Sequence, residues 1–239
     1  PLGHQASEER KRELVELLAE RGVPLIEDDV YGDLAFEGPR PWAAKAYDPD
    51  GGVLYCGSFS KTLSPGLRVG WVAAGRYREA VTAGKYAQSA GVPAVPGLGV
   101  ADFLARGGYD RYLRQARGEY ARAVERMARA VAAAFPTGTR LTRPRGGFVL
   151  WVALPAGADA LDLYHRAMAE GISIAPGPLF SPTERHAHCL RLNCAQPWGP
   201  ALERAVARLG ELASAQLAGS GGSSPAGPGL ALQGGGEQP

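Results

Sequence analysis

Apolar and polar positions along this chain fall into blocks whose period changes from helical to strand-like and back. Leu14, Leu17 and Leu18 recur at helical spacing behind Ser7, a hydroxyl suited to capping, with Glu8 and Glu9 in the first turn and Gly22 placed to close the helix. From Pro24 the chain turns apolar and then runs into Asp28 and Asp29, a strand that ends at two acids. Val53 to Cys56 predicts a second strand. Leu67 to Ala74 is apolar and nearly unbroken, which predicts a third strand covered on both faces. The Pro, Asp and Gly-rich stretch between Phe36 and Gly52 reads as a surface loop.

Arg76 to Ala90 predicts a helix whose Lys85 and Tyr86 face solvent, and Pro93 and Pro96 break the segment from Gly91 to Gly99. A helix to about Gly107 leads into a long one, Asp110 to Phe135, with apolar positions at Leu113, Ala116, Tyr120, Ala123, Val124 and Met127. Its arginines alternate with those positions at helical spacing, the pattern of a solvated face rather than a nucleic-acid surface. Further on, Arg143 to Pro155 pairs a Gly-Gly turn with an alternating strand, and a helix from Asp159 to Glu170 stops at Gly171. Ile172 to Ala175 predicts a short strand, Pro176-Gly177-Pro178 a turn, and His188 to Ala195 another strand. An amphipathic helix from Pro200 to Leu217 carries Leu202, Val206, Leu209 and Leu212; the Gly, Ser and Pro-rich stretch 218–239 reads as a disordered tail.

Strands alternating with helices make this an α/β chain. Its 239 residues, 45% of them apolar, suffice for one large or two small globular units. A formal charge of +2 is too small to imply nucleic-acid or membrane binding, no apolar run is long enough to span a bilayer, and the first residues do not form a signal peptide. Three cysteines fit no disulfide framework, so a cytoplasmic location is expected. Cys189 and Cys194 with His186 and His188 lack the short paired intervals of structural zinc sites, and no metal ligand set is assigned.

The chemistry concentrates in GSFSKTLSPGLRVGW, residues 57–71. A lysine amine beside other cations, or away from water, loses its proton readily and can form a Schiff base with an aldehyde. Arg68 with the hydroxyls of Ser58 and Ser60 has the makings of a phosphate clamp. Aldehyde and phosphate on one ligand describe pyridoxal phosphate. A strand-loop-strand can also hold a Lys and an Arg without any ligand.

A second segment, PLIEDDVYGDL, shifts the balance. With it the chain resembles the large domain of the fold type I pyridoxal phosphate proteins, the aminotransferase class I and II superfamily. The resemblance implies that Asp28 pairs with the ring nitrogen, Tyr31 hydrogen-bonds the ring hydroxyl, and Lys61 is the Schiff-base lysine. It also implies phosphate contacts from Ser58, Ser60 and Arg68, and Arg191 as the ligand of the substrate α-carboxylate, a role its planar fork suits. Asp29 competes with Asp28 on chemistry alone; the spacing to Tyr31 favours Asp28.

The phrases EDDVYGDL, GSFSKTLSPGLRVGWVA, PGPLFS and CLRLNCAQP look most like the aminotransferase-like domain of MocR-type regulators of the GntR family. The resemblance covers Pro1 to about Leu217 and implies the later part of a three-layer large domain, residues 1–107, then a small α/β domain, residues 108–217. The early part of the family's large domain, with its helix N-terminus for the phosphate, would fall before Pro1. Two functions are then expected as alternatives: amino-group transfer from an amino acid to a 2-oxo acid, or sensing of pyridoxal phosphate and an amino compound by a regulator whose DNA-binding domain lies elsewhere. Family members are dimers, so a homodimer is implied.

Overall fold

The computed structural model describes residues 2–220. Helix α1, Glu8–Glu20, starts where Ser7 Oγ accepts the Arg10 N–H at 3.3 Å, and Gly22 beyond its end adopts φ 64°. Its buried residue is Val15, which packs with Ala44 and Val53. Leu14 and Leu17, expected on the buried face, are about two-fifths exposed. The stripe is narrow because the helix packs mainly on the short helical turn Ala44–Tyr47, which covers only the Val15 side.

Strand β1, Leu25–Asp28, pairs in parallel with β2, Val53–Ser58, and β2 pairs antiparallel with β3, Gly70–Ala73. The order β1-β2-β3 matches the three strands expected. The register sets Asp28 opposite Cys56 and Ser58 opposite Gly70, so the acid-bearing and serine-bearing strand ends lie side by side. Burial differs from expectation at β3. Every residue of it is exposed among the described residues, Trp71 and Val72 included, because as an edge strand it is flanked by β2 alone. It is also shorter than expected: Pro65–Leu67 forms a helical turn and Arg68 is left-handed, so pairing begins only at Gly70.

Helices α2, Arg78–Ser89, and α3, Ala94–Ala105, follow. Pro96 sits inside the first turn of α3 instead of breaking the segment, since a first-turn proline removes no intrahelical hydrogen bond. Tyr86 on α2 is exposed, as expected. The long helix α4, Tyr109–Ala134, buries Leu113, Ala116, Val124, Met127 and Val131.

The second sheet has the order β4-β5-β7-β6, from Arg140–Leu141, Val149–Ala153, Cys189–Asn193 and Ala175–Pro176, all antiparallel. Strand pairing at β6 starts at Ala175, later than the expected Ile172, because Ile172 N–H instead closes α5, Ala160–Ala169, by donating to Ala167. Asp159 caps that helix through the Leu161 and Asp162 N–H groups. Helix α6 runs Pro200–Ser220, three residues past the expected end; the remainder of the expected disordered tail, 221–239, lies outside the described residues. Leu150 and Val152 of β5, Leu163 of α5, Leu190 of β7 and Leu209 of α6 are buried to 1% exposure or less in one core. Each contributes roughly 1.5–3 kcal/mol of burial. Gly210 lets α6 close on α4, since a Cβ there would collide with the Ala134 carbonyl.

Candidate functional site

The first half of the site is the turn that follows β1. Asp28 Oδ1 accepts only the Val30 N–H, at 3.4 Å, and forms no ion pair with any described residue. Asp29 and Asp33 behave differently: both are bound by Arg40, at 2.5 and 2.6 Å. Tyr31 enters the turn of 3-10 helix Gly32–Leu34, and its ring lies 5.5 Å from that of Phe148, which in turn meets Tyr120 of α4 at 5.0 Å. Burial raises the Tyr31 phenol above its ordinary pKa; Arg191 pulls it back and Asp28 pushes it further up, so these two charges act on one hydroxyl in opposite directions.

The second half is the turn after β2. Ser58 Oγ accepts the Ser60 N–H at 3.0 Å and lies 2.9 Å from Ser60 Oγ, which receives Arg68 Nη1 at 3.4 Å. Phe59 N–H donates to Val69, and the carbonyl of Phe59 accepts from Leu63 and Ser64, which folds the chain tightly around Lys61. Ser64 caps the following helical turn through the Gly66 N–H, and Arg68 leaves it at φ 53°. A left-handed arginine is costly, of order 1 kcal/mol, and such positions gather at functional sites. Lys61 is half-buried and forms no hydrogen bond or ion pair with any described residue. Its Nζ lies 5.9 Å from the centre of the Tyr31 ring, so it joins the two halves.

Arg191, on β7, comes from the other sheet. Its guanidinium stacks 4.9 Å over Phe180, whose ring meets Trp151 edge-on at 5.4 Å, and it has no acidic partner among the described residues. A cavity of about 360 Å³ opens between the sheets, with Asp28, Tyr31, Gly147 and Arg191 in its wall. Of the residues expected from the sequence, Asp28, Tyr31 and Arg191 share this cavity, Lys61 faces Tyr31, and Ser58, Ser60 and Arg68 form a separate cluster beside Lys61. The aromatic supports Phe148 and Phe180 and the anchor Arg40 escaped sequence reasoning. Only Arg40 carried a signal, being bracketed by Pro39 and Pro41.

Asp28, Lys61, Arg68 and Arg191 therefore have no ion-pair partner among the described residues, Lys61 and Arg191 being half-buried and Asp28 and Arg68 exposed. For the half-buried Lys61 and Arg191 an unpaired charge is unfavourable unless a ligand completes it. An uncompensated carboxylate suits a protonated ring nitrogen, an amine suits an aldehyde, a guanidinium with two hydroxyls suits a phosphate, and a second guanidinium suits a carboxylate.

Comparison with known proteins follows the same lines. The chain is 40% identical over 212 residues to the uncharacterized HTH-type transcriptional regulator YjiR of Escherichia coli, covering 88% of this chain and 45% of that protein. It is 34% identical to the 2-aminoadipate transaminase of Thermus thermophilus, covering 87% of this chain and 53% of the other. The multiple substrate aminotransferase of Thermococcus profundus superposes with a TM-score of 0.79 at 30% identity, over 91% of this chain and 54% of that one. LysN, the alpha-aminoadipate aminotransferase of Thermus thermophilus complexed with N-(5'-phosphopyridoxyl)-L-leucine, does so with a TM-score of 0.78 at 32% identity, over 89% and 55%. The chain thus spans about half the length of the relatives it matches. With residues 1–209 matching the model for aminotransferase class I and II, and a fold type I architecture, the chain belongs to the aminotransferase class I and II family.

Proposed function

We propose that this chain is the pyridoxal phosphate-binding part of an aminotransferase, exchanging an amino group between an amino acid and a 2-oxo acid. The observation that carries the reading is the set of unpaired charges, Asp28, Lys61 and Arg191, disposed around the single ring of Tyr31. The residues fit the group: Asp28 for the ring nitrogen, Tyr31 for the ring hydroxyl, Ser58, Ser60 and Arg68 for the phosphate, Lys61 for the aldehyde carbon. Pyridoxal phosphate, when bound, supplies an electron sink for negative charge at the substrate α-carbon.

The chain's own residues do the rest. Arg191, held flat by Phe180, receives the substrate carboxylate through its two-pronged face and fixes the orientation of the α-carbon. Lys61 Nζ, as a free amine, would be the base that removes the α proton and the acid that returns it. Tyr31 holds its phenolic proton at neutral pH, because its pKa is raised, and so acts as a hydrogen-bond donor. Residues 1–107 serve as the cofactor-binding unit and 108–217 as the substrate-carboxylate unit. A homodimer and a cytoplasmic setting accompany this reading.

A second reading rests on the likeness to YjiR and to YdcR, another HTH-type regulator of Escherichia coli, 38% identical over 217 residues. There the same residues bind cofactor and amino compound without turnover, and the binding energy shifts a DNA-binding domain of the whole protein. One experiment separates them. The chain loaded with pyridoxal phosphate and given mixed amino acids releases one equivalent of 2-oxo acid if it is a transaminase. Binding of the amino acids with no 2-oxo acid released contradicts that and supports the sensor.

A further inference from the structure

Three acids lie in or beside the turn that carries Tyr31, and they are treated unequally. Arg40 Nη2 binds Asp29 Oδ2 at 2.5 Å and Tyr55 Oη at 2.9 Å, while its Nε binds Asp33 Oδ1 at 2.6 Å. The fourth bond, Nη1 to the Pro41 carbonyl at 3.0 Å, turns the side chain back on its own loop. All three nitrogens are used, and the two acids they hold are the first and last side-chain anchors of the turn 29–33. Tyr31 lies midway between them.

The rest of the turn is built to this clamp. A Cβ on Gly32 would sit 2.5 Å from both Asp29 carboxylate oxygens and 2.7 Å from Arg40 Nη2, so the ion pair closes over a bare α-carbon. Asp33 is tied a second time by the Tyr109 hydroxyl at 3.1 Å and, through its carbonyl, by Arg117 Nε at 2.6 Å. Pro39 and Pro41 restrict the backbone on either side of Arg40, which lowers the entropy lost in holding its side chain. Burial opposes the charge on Arg40, but its bonds to Asp33 and Asp29 outweigh that and leave the guanidinium firmly protonated.

We propose that Arg40 is the positioning residue of the cofactor site, holding Asp29 and Asp33 so that Tyr31 is presented to the cavity and Asp28 alone remains free to pair with a ligand cation. The inference rests on the pyridoxal phosphate reading for its consequence, but not for its geometry. Lysine cannot replace it: one ammonium cannot reach two carboxylates and a phenol in the planar arrangement observed.

The test uses the full chain and the variants Arg40→Gln and Arg40→Lys, each first shown to unfold cooperatively. Hydrogen exchange at the Gly32 and Leu34 amides, which close the turn onto Asp29 and Tyr31, reads its rigidity without any ligand. Exchange there rises at least ~10-fold in Arg40→Gln, as loss of charge-assisted bonds implies, while the amides of α4 and α6 stay protected. Pyridoxal phosphate affinity falls by a similar ~10-fold, and Arg40→Lys recovers only part of either effect. Unchanged exchange at Gly32 and Leu34 in Arg40→Gln overturns the proposal. If wild type binds no cofactor yet the exchange change is seen, the clamp stands and the cofactor reading fails.

Discussion

Gly147 donates its amide to the carbonyl of Leu34 at 3.0 Å, and beside this bond Gly146 and Ala35 form an isolated antiparallel bridge. The segment that follows β1 and the segment that leads into β5 are thereby stitched together next to Tyr31. The stitch admits no side chain: a Cβ on Gly146 would lie 2.7 Å from the Leu34 oxygen and 3.0 Å from the Ala35 Cα, neither of which can step aside alone. We expect Gly146→Ala to cost about 1–3 kcal/mol in urea unfolding and to weaken cofactor affinity with it. Gly147, at φ 77° and with Tyr31 Cδ1 3.2 Å from its missing Cβ, meets both conformational and contact strain. Gly147→Ala is expected to cost about 1–2 kcal/mol.

The serine-arginine cluster makes a separable prediction. Arg68 is exposed and its side chain hydrogen-bonds only Ser60 among the described residues, so its removal leaves the fold intact. Arg68→Ala should weaken pyridoxal phosphate binding by roughly 10-fold or more while barely altering the affinity for pyridoxal, which lacks the phosphate. Equal losses for both ligands would remove Arg68 from the phosphate site.

Asp48 predicts a pH dependence of stability. Burial alone would raise its pKa, yet the Lys45 ammonium and the Val53 and Gly52 amides outweigh burial and lower it in the folded chain. A carboxylate depressed on folding adds stability that is present above its unfolded pKa, about 3.9, and is lost as pH falls through the folded value. Asp48→Asn should therefore destabilise the chain at pH 7 by about 1–3 kcal/mol, and the gap to wild type should narrow below about pH 4. A gap that stays constant down to pH 2 would contradict the linkage.

Thiol reactivity follows burial. Cys194 is 2% exposed and its thiol is pushed up to about 12 by desolvation; burial also raises Cys189. In native buffer at pH 8 an alkylating reagent should modify Cys56 first and reach Cys189 and Cys194 only on unfolding. Peptide mapping after timed alkylation reads the order.

The elements were legible where local chemistry and packing agree. The Ser7 cap, the α4 stripe through Leu113, Val124 and Met127, and the Gly171 stop follow from side-chain preferences that no distant neighbour overrides. Leu14, Leu17 and Trp71 were misjudged because an apolar pattern records what a face can bury, not which neighbour covers it. At the site, Lys61 stood out by its chemistry, whereas Asp28, Tyr31 and Arg191 were legible only through the family resemblance. Arg40 did not, since a loop arginine has no periodicity and its partners Asp29, Asp33 and Tyr55 lie up to fifteen residues away. Nor did Phe180, which meets Arg191 only because the turn before it folds back on β7.

Covalent capture of the cofactor on Lys61 is the most direct measurement. The full chain and Lys61→Ala are titrated with pyridoxal phosphate in the visible range, reduced with borohydride, and digested for peptide mass mapping. A saturable band in wild type, absent from Lys61→Ala, with the reduced pyridoxyl group on the peptide that contains Lys61, is the result expected. A band of equal size in Lys61→Ala, or label spread over exposed lysines such as Lys85, would contradict the assignment of Lys61 as the residue that holds the cofactor.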